Sequence, residues 1–414
     1  MAMVRETRDE TQRESRPSES SPLPGVVLLW STGPRCVCAA LDGGPVRIGR
    51  DDPLGATLTD ERLSRHHVEV AVRRGAFVVR DLGSRNGTSV DGDTVTGEVT
   101  VRAGAIVRAG GTIVAVLEDI RPLLARPAEV KDDVVRGPKT ASALEAAMRA
   151  QEPLAIVGET GTGKEVAARA FHGGEGPFVA VNCATIQEAL AERILFGAKR
   201  GAFSGATTDA EGLVQSAHGG VLFLDEICEL ALPIQAKLLR VIETKQVTPI
   251  GATAARKVDV RFCMAAQNDL RARADAGDFR HDLLFRIKSH VVLAPLRERR
   301  EEIPFFVARE LEARERTAHP KLVEACLLRF WPGNVREIMV ELALAAEAAT
   351  DDVVRAEHLR ENAGTSSTTK APAPTSREEI VRALEGAGGN ISAAARALGM
   401  HRTQLKRAMQ KYDV

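Results

Sequence analysis

The sequence predicts a multidomain protein with an all-β sandwich, a parallel α/β domain and an all-α helix-turn-helix. Short β-rich runs separated by Gly and Asp turns occupy residues 25 to 118. From about residue 130 to 362, apolar strands alternate with helical stretches, a pattern typical of a parallel sheet covered by helices. Residues 390–407 then have the pattern of a helix, a Gly turn and a second helix.

Composition fits several domains with ordinary cores, because the 414 residues are 44% hydrophobic and 27% charged. Lys plus Arg and Asp plus Glu each number 56, so overall charge neither indicates nor excludes a nucleic acid partner. There is no apolar run of membrane-spanning length and no apolar segment at the start, which predicts a cytoplasmic protein with no membrane partner. The six cysteines form no C-x-x-C pair, which argues against zinc and disulfides.

Changes in residue composition and in hydrophobic periodicity divide the chain into segments. Predicted strands are 26–30, 76–80, 105–108 and 112–117 in the β domain, and 154–157, 221–224 and 258–265 in the α/β domain. We predict a disordered leader at 1–22, a β domain at 23–120, an α/β domain at 130–305, a helical lid at 306–362, a linker at 363–376 and a helix-turn-helix at 377–414.

A glycine-rich loop follows the strand 154–157 and precedes a predicted helix at 165–171. Its residues are Gly158, Glu159, Thr160, Gly161, Thr162, Gly163 and Lys164. Glycines let backbone N–H groups converge on phosphate oxygens, the helix N-terminus adds its dipole, and Lys164 reaches the outer phosphates. The pattern predicts an ATP-binding Walker A loop. Glu165 stands where such loops place a hydroxyl for magnesium.

Two carboxylates end the apolar strand 221–224, at Asp225 and Glu226. ATP hydrolysis needs one acidic group to hold Mg²⁺ and another to orient the attacking water. We assign Asp225 to the metal and Glu226 to the water.

A glycine-flanked Phe-Ser tip lies between the Walker A loop and these carboxylates. Its residues are Gly201, Ala202, Phe203, Ser204, Gly205 and Ala206. The segment resembles the GAFTGA loop of the bacterial enhancer-binding proteins, AAA+ ATPases that remodel RNA polymerase carrying sigma-54. The resemblance implies that these residues contact sigma-54, and that Gly-Lys-Glu at 163–165 is the family's own variant. Ser204 keeps the hydroxyl of the usual Thr.

The resemblance continues over about residues 130 to 362 and implies further roles. It makes Asn182 a switch partner of Glu226, Asn268 the sensor I residue, Arg280 and Arg286 candidate arginine fingers, and Arg336 the sensor II arginine of the lid. Arginine fingers imply a homo-oligomer, from dimer to hexamer. Because Arg280 and Arg286 cannot share one helix face, one of them is open to a structural role, and Arg286 is favoured as the finger. Gln215 departs from the family's Glu.

Three motifs of the β domain are similar to the loops of forkhead-associated (FHA) domains. They are Ile48 to Arg50, Ser64 to His67 and Asp81 to Thr88. The resemblance implies a phosphothreonine site with Arg50, Ser64 and Arg65 on the phosphate and Asn86 on the peptide, while His67 braces the loop. The partner would be a phosphothreonine protein or a Ser/Thr kinase. A sandwich that only packs against the ATPase remains an alternative.

The C-terminal pattern is similar to the Fis-type helix-turn-helix of the same family. Its second helix is basic and carries Arg402, Thr403, Gln404, Lys406 and Arg407, the residues expected to contact upstream enhancer DNA. The sequence as a whole predicts a sigma-54-dependent activator with an FHA sensor. The main rival is a phosphopeptide-responsive DNA-binding regulator whose ATPase is inactive; a second is an AAA+ remodeller of another protein.

Overall fold

Two antiparallel sheets form the N-terminal sandwich. The computed structural model describes residues 21–55, 58–202, 207–365, 377–387 and 391–398 and positions 405, 409 and 412. One sheet has the strand order β2-β1-β10-β9-β6-β7 and the other β3-β4-β5-β8. The strands are β1 (Gly25–Trp30), β2 (Pro34–Ala40), β3 (Val46–Ile48), β4 (Val68–Arg73), β5 (Ala76–Asp81), β6 (Thr88–Val90), β7 (Asp93–Val95), β8 (Glu98–Val101), β9 (Ile106–Ala109) and β10 (Thr112–Leu117).

Strand β1 is buried along its whole length, which explains why its sequence is continuously apolar. Val26 and Leu28 point between the two sheets into the sandwich core. Val27 and Leu29 point the other way and are equally buried, because the outer face of this sheet is covered by the helical lid. The sandwich therefore shares a hydrophobic core with a domain that lies some 280 residues away, counting from Val27 to Val307.

A short connector joins the sandwich to the α/β domain. It comprises α1 (Arg121–Ala125) and a hairpin of β11 (Glu129–Lys131) and β12 (Val134–Arg136). The domain itself contains α2 (Pro138–Met148), β13 (Leu154–Val157), α3 (Lys164–His172), β14 (Phe178–Asn182), α4 (Glu188–Phe196), α5 (Leu213–Ser216), β15 (Val221–Asp225), α6 (Leu232–Thr244), β16 (Gln246–Val247), β17 (Arg256–Lys257), β18 (Arg261–Ala266), α7 (Leu270–Asp275), α8 (His281–Arg286) and β19 (Ser289–Val292).

Five parallel strands make the central sheet, in the order β14-β15-β18-β13-β19. The carboxyl ends of β13, β15 and β18 are adjacent, which is where open α/β sheets bind ligands. The predicted strand 258–265 was wrong at its start, since β18 begins at Arg261. Val258 instead follows β17, which pairs with β16 in a hairpin, and its N–H donates to the Lys245 carbonyl.

The lid consists of three helices and a two-stranded parallel pair. They are α9 (Ile303–Glu312), β20 (Thr317–Ala318), α10 (Pro320–Leu328), α11 (Asn334–Ala348) and β21 (Val353–Val354). Trp331 lies at the centre, fully buried, and its indole N–H donates to the Cys326 carbonyl at 2.7 Å. The indole also touches Gly364, where a Cβ would stand 2.9 Å from the ring.

Two helices begin the C-terminal domain, α12 (Arg377–Gly386) and α13 (Ile391–Ala397). Ile380, Ala394 and Leu405 form a small buried cluster, as expected for a helix pair packed by small residues. The predicted DNA-contacting residues Arg402, Thr403, Gln404, Lys406 and Arg407 lie outside the described residues, as do Phe203 to Ala206. Among the helices that are described, none is long and apolar enough to cross a membrane.

Replacing Trp331 tests how far the lid depends on its central side chain. We expect Trp331→Ala to cost about 3–5 kcal/mol of lid stability, because it leaves a cavity and an unpaired carbonyl. Urea unfolding should show the loss, whereas Leu344→Ala, on the partly exposed face of α11, should change the midpoint little. Equal midpoints for the two variants would contradict this role of Trp331.

Candidate functional site

The glycine loop joins β13 to α3 in the conformation expected of a phosphate-binding turn. Gly161 and Gly163 have φ of 78° and 101°, which a side chain would strain. Thr162 Oγ1 donates to the Glu159 carbonyl at 2.7 Å and tightens the loop. The Lys164 ammonium points back into the loop and donates to the Gly158 carbonyl at 3.0 Å, with its side chain only 7% exposed. The loop therefore holds a buried cation against its own backbone.

The helical lid lies directly against this loop. A Cβ on Gly161 would stand 2.1 Å from the Gly333 carbonyl, so only glycine allows the approach. Asn334 Nδ2 donates to Glu159 Oε2 at 3.1 Å and to the Thr160 carbonyl at 3.0 Å. The Val335 N–H donates to the Gly161 carbonyl at 3.0 Å.

Glu159 thus anchors the lid rather than facing the interior of the loop. Arg297 binds its carboxylate with two hydrogen bonds of 2.6 and 2.8 Å, and this guanidinium, with help from Asn334, lowers the pKa of Glu159. Sequence reasoning missed Arg297 and Asn334. Asn334 could have been found, since it lies two residues before the predicted sensor II arginine, Arg336; Arg297 carries no comparable signal.

The two carboxylates at the end of β15 face the lysine. Glu226 Oε1 is 3.6 Å from Lys164 Nζ, and Glu226 adopts a left-handed backbone with φ of 53°. Burial raises the pKa of Asp225, although the nearby Lys164 ammonium opposes the rise. Such a partly desolvated carboxylate lacks a full counter-charge, so the site favours a bound cation.

Gln267, a residue that sequence reasoning did not assign, contacts the catalytic candidate Glu226. Its Nε2 donates to Glu226 Oε1 at 3.0 Å from the end of β18. The available signal was its place in the sequence, directly before the predicted sensor I residue Asn268. The predicted partner Asn182 is engaged elsewhere, because its Oδ1 accepts the Ala184 N–H at 2.9 Å and caps a 3-10 turn. Asn268 is exposed just beyond β18.

The three predicted arginines have different surroundings. Arg280 precedes α8 and binds Asp282 of the same helix at 3.0 and 2.7 Å, which agrees with a structural role. Arg286 is exposed at the end of α8, next to Phe285, whose side chain is 75% exposed. A Cβ on Gly161 would stand 3.0 Å from Arg336 Cβ, and the Arg336 guanidinium, like the Lys164 ammonium, opposes the rise in the pKa of Asp225. The structure thus brings Arg336 and Asp225 to one site and leaves Arg286 facing outward.

Backbone contacts hold the base of the Phe-Ser loop in place. Ala198 forms an antiparallel bridge with Ala210 and a parallel one with Ile250. Lys199 pairs with Asp209 across the base. Gln215 Nε2 donates to the Phe196 carbonyl at 2.8 Å, while its Oε1 accepts the Gly212 N–H at 3.1 Å. Gln215 therefore ties the helix α5 to the point where the loop leaves α4.

Three loops meet at one end of the sandwich. The Arg50 N–H donates to the Ser64 carbonyl at 2.9 Å, and Ser64 Oγ accepts the Arg85 N–H at 3.1 Å. Asn86 Nδ2 donates to the Arg62 carbonyl at 2.7 Å. Arg50, Arg65 and Asn86 are exposed there, so the cations and the amide stand on a common surface.

His67 is buried and links two of these loops. Its Nδ1 accepts the Ser64 N–H at 3.1 Å, so its Nε2 carries the proton and donates to the Gly87 carbonyl at 3.1 Å. Burial lowers the pKa of His67, which keeps the imidazole neutral and this tautomer in place. His67 is a brace for the loops, as the sequence predicted.

Comparisons with known families match all three domains. Residues 136–293 match the sigma-54 interaction domain, residues 46–110 the FHA domain, and residues 372–412 the Fis family of bacterial regulatory proteins. The chain belongs to the sigma-54-dependent transcriptional regulators. These matches confirm the family and the fold class predicted from the sequence.

Individual relatives agree with the family. The chain is 36% identical over 311 residues to the Nif-specific regulatory protein of Herbaspirillum seropedicae, covering 63% of this chain and 57% of that protein. It is 36% identical over 291 residues to the regulatory protein AtoC of Escherichia coli, covering 64% and 63%. A crystal structure of NtrX from Brucella abortus in complex with ATP aligns with a TM-score of 0.50 at 30% identity, covering 66% of this chain and 67% of that one. The chain therefore spans about three fifths of the length of its curated relatives.

The raised pKa of Asp225 predicts a pH-dependent cost to stability. Below the ordinary pKa of about 4, the protonated side chain favours folding; as the pH rises through the folded pKa, this stability is lost. We expect Asp225→Asn to raise the thermal midpoint at pH 7, with a difference that shrinks toward pH 4. Asp259→Asn, at an exposed site, serves as the control. A lower midpoint for Asp225→Asn than for the wild type at pH 7 would contradict a destabilising role for the ionised Asp225.

Proposed function

We propose that this regulator hydrolyses ATP in a homo-oligomeric ring, a hexamer, and uses the work to remodel sigma-54 RNA polymerase. The observation that carries the proposal is the convergence of Lys164, Asp225 and Glu226 below a lid that presents Arg336. A loop with a buried lysine suits the phosphates, and two carboxylates with different surroundings suit different tasks. These features argue against the rival with an inactive ATPase.

The residues present fit a magnesium ion. Asp225 is a partly buried carboxylate, and burial raises its pKa because the nearby cations do not fully compensate its charge. Glu165 follows Lys164 in the sequence but is not a suitable magnesium ligand, because its carboxylate pairs with Arg169 at 2.6 Å on the exposed side of α3. Asp225 would hold Mg²⁺, which when bound neutralises phosphate charge.

Glu226 is the proposed base that orients the attacking water. Its Oε1 accepts a hydrogen bond from Gln267 Nε2 at 3.0 Å and lies 3.6 Å from Lys164 Nζ. Since Lys164 turns to the phosphates of bound ATP, Glu226 loses one of its two partners when substrate arrives. Gln267 then remains to position the carboxylate, in place of the expected Asn182.

Ring assembly would complete the site. Arg286 makes no ion pair with any residue that the structure describes, and the apolar Phe285 beside it is exposed. An exposed aromatic next to an unpaired guanidinium suits a neighbouring subunit, whose bound γ-phosphate the guanidinium would reach. We assign Arg286 as the arginine finger and Arg280 as a structural residue of α8.

The remaining parts of the chain would connect the ATPase to its partners. The Phe203 and Ser204 tip would contact sigma-54, and the base formed by Ala198, Ala210 and Ile250 would move it with the nucleotide state. The Fis-type domain would bind enhancer DNA through Arg402 and its neighbours. The FHA loops around Arg50, Ser64, Arg65 and Asn86 would read phosphothreonine.

Glu226→Gln tests the hydrolysis mechanism. We expect the variant to bind ATP normally but to hydrolyse it ~100-fold or more slowly, a loss of about 3 kcal/mol of transition-state stabilisation. Phosphate release measures this, with the exposed Glu229→Gln as the matched control. Wild-type turnover by Glu226→Gln would show that the base has been misassigned.

Phe203→Ala tests whether the loop transmits work. Because the family resemblance assigns the tip to sigma-54 and not to the nucleotide, we expect ATPase activity and ring assembly to persist while sigma-54 capture with a transition-state analogue is lost. Met148→Ala, which truncates an exposed side chain on α2, should leave both unchanged. Lost hydrolysis with retained sigma-54 capture would reverse the assignment.

A further inference from the structure

The FHA domain and the lid are packed together by a continuous apolar interface. Val27, Leu29, Ile106 and Ile113 of the sandwich are fully buried in one cluster with lid residues that include Val307, Leu322 and Leu327. This burial makes docking of the two domains favourable. The FHA domain is therefore held against the element that closes over the nucleotide loop.

A buried ionic junction lies within this interface. Glu324, on α10 of the lid, accepts Ser89 Oγ at 2.6 Å and Arg108 Nε at 2.7 Å. Its side chain is 7% exposed. Ser89 and Arg108 are cross-strand neighbours on β6 and β9. Since a buried carboxylate is tolerated only when it is fully paired, the junction specifies one docked geometry.

The phosphopeptide loops touch the same lid helix at its start. Asn86 donates a hydrogen bond to the Arg62 carbonyl, and Arg62 Nη1 lies 3.2 Å from His319 Nε2. His319 is the N-cap of α10, where its Nδ1 accepts the Lys321 N–H. One short helix thus contacts the FHA domain twice, at its N-cap and at Glu324.

The contact between Arg62 and His319 is electrostatically unfavourable. Burial, together with the cations Arg62, Lys321, Arg355 and Arg108, lowers the pKa of His319. In the neutral tautomer whose Nδ1 accepts the Lys321 N–H, Nε2 carries a proton, so two donors face each other. Ser64, whose carbonyl accepts the Arg50 N–H, lies two residues after Arg62, so a dianionic phosphate bound on Arg50 and Ser64 would add negative charge to the loop that carries Arg62. It would therefore favour the docked arrangement.

Helix α10 also leads to the nucleotide loop. The Trp331 indole donates to the Cys326 carbonyl in the last turn of α10, and three residues later Asn334 holds Glu159 and Thr160. Arg336 follows on the same helix α11. A change that stabilises α10 in its docked position stabilises the lid on the loop.

We propose that α10 couples phosphothreonine binding on the FHA domain to nucleotide binding in the same protomer, through the Glu324 junction and Arg62. The inference rests on the proposed function of both sites. Because the phosphate favours the docked state, and the docked state fixes Asn334 and Arg336 over the loop, each ligand tightens the other. Linkage requires the same factor in both directions, and we expect roughly five-fold.

Isothermal titration of the full-length protein tests the coupling. A degenerate phosphothreonine peptide library is titrated with and without a non-hydrolysable ATP analogue, and the analogue with and without the library. The dephosphorylated library is the ligand control. We expect Glu324→Gln and Arg62→Gln to reduce the coupling factor to about one. Glu347→Gln, an exposed carboxylate on α11, should retain it.

Arg62→Gln keeps the test decisive if Glu324→Gln destabilises the protein, because Arg62 is exposed. A wild-type factor of one or less, with both ligands bound, overturns the coupling alone. Undiminished coupling in both variants overturns the assigned route. Absence of library binding to the wild-type chain overturns the phosphothreonine function and the coupling together.

Discussion

The contact between the glycine loop and the helical lid governs the rest of this structure. A Cβ on Gly161 would stand 2.1 Å from the Gly333 carbonyl, so a side chain at position 161 would force the loop and the lid apart. Around this contact, Asn334 and Arg297 hold the carboxylate of Glu159. The loop is consequently braced from outside its own domain, and the position of the lid becomes part of the nucleotide site.

The lid in turn carries the FHA domain, because both domains share one hydrophobic core. Here Val27 and Leu29 are buried against lid helices, and Glu324 is buried against Ser89 and Arg108. The FHA domain therefore contacts the lid, and the lid contacts the glycine loop.

The active centre shows how stability and function oppose each other. Asp225 is desolvated enough to raise its pKa, and Glu226 adopts a left-handed backbone, so both carboxylates are unfavourable in the protein without ligands. Lys164 and Gln267 offset part of this cost. The partly desolvated carboxylate of Asp225 is a group that a nearby cation would stabilise.

Local sequence determined the domains, the strands that carry the glycine loop and the paired carboxylates, and the loop motifs of the FHA domain. It could do so because phosphate-binding turns, buried strands and Gly turns each impose residue types at short, fixed spacings. The tertiary structure alone decided which side chains meet across the chain. Asn182 caps its own turn, Gln267 contacts Glu226, and Glu324 meets a serine and an arginine more than 200 residues away. Such pairings depend on how separate domains pack, and packing is set by the summed burial of many apolar side chains rather than by any short pattern.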